Sequence, residues 1–333
     1  MDSLIKELQL YSSSPSFQTP NGVERIHRLC IALRWVYTRP LNEIRQIGPI
    51  ILLPLYIILT QSSFPSSVKE KAKQVGIPLV QYFTPQMLIS HIPLSVSVYR
   101  NLPTPKLRSL ERKLEYKNSH IVLDHLLSPW IDLEVTDLIP YTSYKRPATL
   151  VSAFNSLASM YHRIYFQRTK GILDTREFDQ TLQDVLSFPL LSFNDIKNMN
   201  QSNDYYYTFF LQTHIVLWLS DYGASSIDSK YNFILVKVLD YIYREIKLLL
   251  PSYREYIEYL AQGLWCLQIC VYPSYTVVSE LTSSVLSIIY NLQSNNGSIH
   301  TSKSKQVSAM YDKLHPTLCA ITLLIPRYYK SLI

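Results

Sequence analysis

The chain has 333 residues with 7 glycines, 19 prolines and 26 tyrosines, and its formal net charge is +7. Glycine, at about 2% against roughly 7% in an average protein, is too scarce and scattered for a dinucleotide-binding fold, a phosphate loop or a glycine-rich β sandwich. With 47% hydrophobic residues, the composition predicts a mostly helical globular protein.

The positive charge is spread along the chain. The densest basic stretch, residues 106–117, alternates with Glu111 and Glu115. This alternation is typical of a solvated helix face, whereas nucleic-acid binders concentrate their charge into a stripe. We therefore expect no nucleic-acid partner, and the charge leaves the oligomeric state undetermined.

The N-terminal region, residues 1–118, is punctuated by prolines, which predicts several short helices with irregular joints. Its most apolar run, residues 47–59, contains Pro49 and Pro54. The run is shorter than the about 20 residues that cross a bilayer, so it predicts a buried, proline-interrupted core helix or a pair of short helices, and no membrane span. The chain start shows no signal-peptide pattern, and we expect a cytoplasmic protein.

From residue 119 to residue 333 the predicted helices are longer and more regular. Apolar residues at helical spacing predict helices over residues 231–249, 256–271 and 277–292. One helix pair occupies about 45–50 residues, a period typical of stacked helical hairpins in an open solenoid or a closed ring. Fold class is therefore predicted as all-α, with this C-terminal region built from hairpins.

Four cysteines, Cys30, Cys266, Cys270 and Cys319, lie on apolar segments without the spacing of a disulfide framework. They are typical of reduced, buried thiols in a cytosolic protein. Cys266 and Cys270 share a helical face, but no histidine or acidic residue completes a metal site nearby. We expect no metal and no other cofactor.

Three segments of the C-terminal region resemble motifs of one superfamily. Residues 293–298, QSNNGS, follow a predicted helix and resemble the Q-x-x-D/N-G-S-W/F turn of the terpenoid-cyclase and protein-prenyltransferase superfamily. In such a turn Gly297 takes a positive φ, while Gln293 and Asn295 tie neighbouring helices. Residues 311–317, YDKLHPT, and 205–223, with T-H and D-Y-G, resemble segments of poorly characterised bacterial toroid-like proteins.

The resemblance covers about residues 120–330 and implies an α/α toroid. It carries over no catalytic residue, because the D-x-D-D and D-D-x-x-D motifs of terpene cyclases are missing from the sequence. Residues 174–179 contain acidic side chains, but not at the spacing of either terpene-cyclase motif. The cysteines lack the zinc-ligand patterns of prenyltransferase subunits and lanthionine cyclases.

Two histidines are the leading catalytic candidates. His214 is predicted to lie mid-helix, either as a core histidine satisfied by one carbonyl or as a general base inside the ring. Asp221, seven residues on, either orients His214 through a water or caps the helix end. His315 precedes Pro316 and is expected in an extended conformation. A toroid would bring His214 and His315 to one aromatic-lined cavity.

A second set of residues is predicted to contact a ligand. Asp312, three residues before His315, is a natural N-cap. Glu258 is a carboxylate on an otherwise apolar helix, where it faces either the cavity or solvent. The aromatic members of the set either line a cavity or fill helix interfaces. The predicted ligand-binding residues are Tyr207, Trp218, Glu258, Trp265 and Asp312.

These residues support three functions from different classes. The first is an accessory protein that holds a peptide or a hydrophobic small molecule in a helical ring, by analogy in a natural-product pathway. The second is a terpenoid-cyclase-like or peptide-modifying enzyme that uses His214, Asp221 and His315 in acid–base chemistry. The third is a helical scaffold for a protein partner.

Overall fold

The described part of the protein is all-α. A computed structural model describes residues 1–13, 22–83, 176–196, 202–300 and 311–326, together with the single residues 149, 153 and 157. The predicted boundary at residues 118 and 119 lies outside these ranges. Within them, the β pairing amounts to one isolated bridge between Gln293 and Ile299.

Five α-helices are described between residues 1 and 83. They are α1 (Asp2–Ser12), α2 (Gly22–Tyr37), α3 (Leu41–Ile47), α4 (Leu53–Thr60) and α5 (Ser66–Tyr82), with a 3-10 helix at Gly48–Leu52. The two prolines of the apolar run lie in the first turns of the 3-10 helix and α4, where a missing N–H costs no hydrogen bond. The predicted buried pair of short helices is therefore confirmed.

Seven α-helices are described between residues 176 and 326. They are α6 (Arg176–Leu186), α7 (Phe193–Ile196), α8 (Ser202–Leu219), α9 (Asn232–Leu249), α10 (Tyr253–Cys270), α11 (Tyr275–Leu292) and α12 (Tyr311–Leu324). Short 3-10 helices, Ser229–Tyr231 and Leu250–Ser252, precede α9 and α10. Among the described helices, none combines the length and apolar character that crossing a membrane requires.

The periodic segments of the sequence become the core helices. Helices α9, α10 and α11 match the three predicted ranges within about three residues, because each carries an apolar stripe at helical period. Helix α10 is buried along its whole length from Ile257 to Cys270 except at Glu258. Gly263 lies in its middle, where an added Cβ would come within 2.9 Å of the Phe209 ring, so α8 and α10 pack closely there.

Helix α12 joins the two parts of the molecule. It packs against α10 and α11 on one side and against α2, α3 and α4 on the other. The Arg25 guanidinium of α2 donates to the carbonyl oxygens of Leu324 at 3.2 Å and Ile325 at 3.1 Å, and also to that of Leu323. These carbonyls end α12 and lack helical partners, so the arginine caps the helix.

The turn at residues 293–299 ties α11, α12 and α2 together. Gly297 has φ = 98°, as predicted. The Gln293 amide donates to the Arg28 carbonyl of α2 at 3.0 Å. Asn296, rather than the predicted Asn295, supplies the other side-chain contact of the described turn, since its oxygen accepts from Ser298. Thr317 of α12 exchanges hydrogen bonds with the backbone of Ile299.

Gly297 is a specific test of this packing. A Cβ added there would lie 2.4 Å from the carbonyl oxygen of Ile31 in α2, on a backbone whose φ is already unfavourable for other residues. We expect Gly297→Ala to lower the free energy of unfolding by more than the about 1–3 kcal/mol of backbone strain alone, as measured by urea denaturation.

Gly48→Ala is the matched control. Gly48 also has a positive φ, 71°, but an added Cβ would meet no atom within 4 Å. This variant therefore carries the backbone strain without the contact against α2. Equal losses of stability in the two variants would contradict the close approach of the turn to Ile31.

Candidate functional site

A cavity of about 310 Å³ lies between α8, α10, α12 and the apolar segment before and within α4. Its wall is formed largely by aromatic and aliphatic side chains, with a few polar groups. Such a composition is typical of small-molecule sites. The lining residues are Ile50, Leu53, Tyr206, Tyr207, Phe210, His214, Leu217, Tyr222, Gln262, Trp265, His315, Leu318, Cys319 and Thr322.

His214 is held on the α8 side of the cavity by its own helix. Its Nδ1 lies 2.7 Å from the carbonyl oxygen of Phe210, one turn earlier. Because a carbonyl oxygen only accepts, a proton on Nδ1 makes this contact a hydrogen bond and leaves Nε2 as the acceptor nitrogen of the neutral ring. The Gln262 amide of α10 donates to Thr213 at 3.1 Å, and its nitrogen lies 3.2 Å from His214 Nδ1.

His315 is oriented by a carboxylate from a different helix. Its Nδ1 lies 3.0 Å from Oε2 of Glu258 on α10. The two side chains are only 12% and 20% exposed, so the hydrogen bond is partly shielded from water. An ionised carboxylate only accepts, which assigns the proton to Nδ1 and leaves Nε2 as the basic nitrogen.

The structure brings the two predicted histidines to one cavity. The Phe210 ring lies between them, with its centroid 6.0 Å from that of His214 and 6.2 Å from that of His315. The expected meeting of His214 and His315 at one aromatic-lined cavity is therefore what the geometry shows. Their catalytic role stays a prediction.

The expected conformation of His315 is wrong. His315 lies within α12, and Pro316 follows it inside the same helix. The bias of a residue before proline toward extended backbone is overridden here, because α12 is held by contacts with α2, α10 and the turn at 293–299. Asp312 is not the predicted N-cap, because α12 as described begins at Tyr311 and includes Asp312 in its first turn. Its side chain lies outside the described residues.

The predicted ligand-binding residues divide into two groups. Tyr207 and Trp265 line the cavity. Trp218 lies behind it, with its ring centroid 5.1 Å from that of His214, and Glu258 contacts the cavity-lining His315 instead of the cavity itself.

Burial raises the pKa of Tyr222, with the Trp218 hydrogen bond opposing the shift, so the Tyr222 hydroxyl stays protonated beside the cavity.

Asp221, the third predicted catalytic residue, is not among the residues that line the cavity. Helix α8 ends at Leu219, and Asp221, Tyr222 and Gly223 all have positive φ values of 49°, 54° and 80°. The left-handed turn breaks the helical spacing from which a shared face with His214 was inferred. As a result Tyr222, instead of Asp221, reaches the cavity.

An aromatic cluster stiffens the wall behind the histidines. Tyr205 stacks on Tyr259 at 6.0 Å, and Phe209 and Phe210 each lie 5.2 Å from Tyr259. The buried Glu245 carboxylate of α9 accepts from the Tyr205 hydroxyl at 3.0 Å and from the Phe193 N–H at 2.7 Å. These hydrogen bonds satisfy a charge that would be costly to bury alone, and they fix the start of α8.

Sequence reasoning missed Cys319 as a site residue. Its Sγ lies 3.8 Å from Nε2 and 4.0 Å from Nδ1 of His315, and the residue is half-buried at the cavity instead of fully buried as expected. The signal was present, because four residues separate His315 and Cys319 on one helical face. Within the described residues, no group of three or more His, Cys, Asp or Glu side chains could hold a metal ion.

The four thiols are expected to differ sharply in reactivity. Burial raises the pKa of Cys30 and of Cys270 to about 12, which leaves about one thiolate in ten thousand at pH 8. Cys266 is fully buried and donates to the Thr213 carbonyl. We expect iodoacetamide to alkylate Cys319 first in the native protein, as measured by peptide mass spectrometry.

The unfolded protein is the control for this experiment. In urea, the four thiols lose their environments and are expected to react at similar rates. Alkylation of Cys30 or Cys270 as fast as Cys319 in the native state would contradict the placement of these side chains.

Comparison with known proteins gave no match: no family model fits this sequence, and no curated protein or solved structure is significantly similar to it. The likeness of residues 205–223, 293–298 and 311–317 to toroid proteins therefore stays a prediction from those residues.

Proposed function

We propose that this protein binds a small, largely apolar molecule in the cavity between α8, α10, α12 and α4. The observation that carries the proposal is the cavity itself, with a volume of about 310 Å³ and a mainly aromatic and aliphatic wall. The interiors of folded proteins leave few voids larger than a water molecule. A space of this size supports a binding role over simple core packing.

The volume favours a small molecule over a peptide. It lies at the lower end of the roughly 300–1,000 Å³ range of small-molecule sites. Phe210, Tyr206 and Trp265 offer ring faces and edges to an apolar or aromatic body. Covering these rings with a ligand removes apolar surface from water, which is the main source of binding free energy at such a site.

The polar groups of the wall favour a ligand with one hydrogen-bonding group. His214 and His315 both lie beside the Phe210 ring, and the Gln262 nitrogen lies 3.2 Å from His214 Nδ1. A hydroxyl or carbonyl oxygen placed between them would find both donors and acceptors. Polar groups in this number orient a ligand, while the rings supply affinity.

In this proposal the protein acts as an accessory component that holds its ligand in a helical ring. The likeness of residues 293–298 to toroid proteins supports the ring arrangement and, by analogy of fold alone, a place in a natural-product pathway. The proposal covers binding and assigns no reaction to the protein.

Titration with 2-naphthol, a fused aromatic ring with one hydroxyl, tests the proposal. We expect saturable binding of one equivalent in isothermal titration calorimetry, with a negative heat-capacity change from burial of apolar surface. Ile50→Trp places a large ring at the half-buried cavity wall and is expected to weaken binding at least about tenfold, a change of about 1.4 kcal/mol.

Leu41→Trp is the matched control. Leu41 begins α3, close to Ile50 in the chain, but it is 45% exposed and is not part of the cavity wall. Its variant should bind 2-naphthol like the wild type. Equal affinity in Ile50→Trp and Leu41→Trp, or no saturable binding to the wild type of either 2-naphthol or cyclohexanol, would contradict the proposal.

A further inference from the structure

Three side chains from α10 and α12 form a line of contacts that ends at the cavity wall. Glu258 lies 3.0 Å from Nδ1 of His315, and Cys319 Sγ lies 3.8 Å from Nε2 of the same ring. His315 and Cys319 both line the cavity, while Glu258 lies behind them. A carboxylate, an imidazole and a thiol in this order can orient, deprotonate and attack in covalent catalysis.

We propose that Cys319 is a nucleophile that accepts an acyl group from an apolar ester held in the cavity, with His315 as its base. Glu258 is the positioning residue that fixes the tautomer and the orientation of the imidazole. This inference rests on the proposed binding function, because the apolar acyl chain would occupy the same cavity.

The hydrogen bond to Glu258 prepares His315 for this role. It assigns the Nδ1 proton, so that Nε2, the nitrogen nearer to Sγ, is the basic one. When Nε2 takes up the thiol proton, the nearby carboxylate stabilises the imidazolium that forms. The limited exposure of the pair, 12% for His315 and 20% for Glu258, strengthens this interaction relative to open water.

The thiol reaches its base by a local side-chain movement. Sγ is almost equally distant from the two ring nitrogens, 3.8 Å and 4.0 Å, so it lies beside the ring instead of along the Nε2 lone pair. Rotation of the Cys319 side chain about its Cα–Cβ bond changes this alignment without moving α12. Catalytic hydrogen bonds are often long in empty sites and tighten when the substrate binds.

The proposed step balances without a cofactor. His315 Nε2 takes the proton from Cys319, and the thiolate attacks the carbonyl carbon of the ester. The S–C bond forms, the C–O bond breaks, and the imidazolium returns the proton to the leaving alkoxide. A thioester at Cys319 and a free alcohol result. Water then attacks the thioester with His315 as base, which releases a carboxylic acid and restores the thiol.

The chromogenic ester p-nitrophenyl hexanoate tests the inference on the full chain. We expect a burst of p-nitrophenolate close to one equivalent and a hexanoyl group on the peptide that contains Cys319. Cys319→Ala should abolish the burst, and His315→Gln should slow it on the order of a hundredfold or more. Cys270→Ala removes a buried thiol away from the cavity and should leave the burst unchanged.

Glu258→Gln separates positioning from mere structural support. The amide keeps the shape of the side chain but loses the charge that stabilises the imidazolium. We expect a slower burst, because the imidazolium that forms loses its stabilising charge. We also expect the pH profile of its rate to move to lower pH, because His315 without the carboxylate holds its proton less tightly and is a neutral base at lower pH. Thermal unfolding of the Glu258→Gln and Cys319→Ala variants shows whether each is folded.

The outcomes distinguish this inference from the binding proposal. If the wild type binds 2-naphthol but its p-nitrophenolate release is the same in Cys319→Ala, the nucleophile is overturned and the binding function stands. If Cys319 is acylated equally in Ile50→Trp and the wild type shows no 2-naphthol binding, the cavity proposal is overturned. An unshifted pH profile in folded Glu258→Gln removes Glu258 from the mechanism.

Discussion

The position of α12 is the constraint on which the rest of the molecule depends. This helix packs against α2, α3 and α4 from the beginning of the chain and against α10 and α11 from its end. Arg25 holds its last carbonyls, and Thr317 holds it to the turn at Ile299. A cation at a helix C-terminus interacts favourably with the helix dipole by about 0.3–1 kcal/mol when exposed and more when partly buried.

The cavity follows from this arrangement of helices. Its wall combines Ile50 and Leu53 with residues of α8, α10 and α12, so segments more than 250 residues apart meet there. The tight contact at Gly263 holds α8 against α10, and the hydrogen bond between Glu258 and His315 joins α10 to α12. The cavity beside Phe210 therefore lies between helices that are held together by the Gly263 contact and by the hydrogen bond between Glu258 and His315.

Local patterns predicted the helices well, and a resemblance predicted the meeting of the two histidines. Helices α9, α10 and α11 could be predicted from the sequence because their apolar residues recur at helical period. The approach of His214 to His315 was expected only from the ring that the resemblance implies, and the ring itself stays a prediction. The left-handed turn that begins at Asp221 could not be predicted from the sequence. Its first two residues, Asp221 and Tyr222, are not glycines, and residues other than glycine rarely adopt a positive φ.

Partners that are distant in sequence could not be predicted. Glu258 and His315 are 57 residues apart, and single-sequence periodicity carries no information on such a pairing. In the turn at 293–298, Gln293 was predicted correctly as a residue that ties α2, whereas the contact expected of Asn295 is made by its neighbour Asn296, a choice that only the folded chain shows. The Cys319 thiol, by contrast, was detectable from its spacing to His315 and was assigned to the core because its helix is so apolar.

Pro316 explains why the geometry of the site depends on distant contacts. Proline has no N–H and removes one hydrogen bond from a helix interior, so α12 is locally weaker beside His315 than its length suggests. The contacts of Arg25 and Thr317 therefore set the position of this helix more than its own backbone does. Arg25 acts on residues that lie eight to ten positions beyond His315, or about 12–15 Å along the helix. Residues of α2 that never reach the cavity thereby help to hold His315 against Glu258.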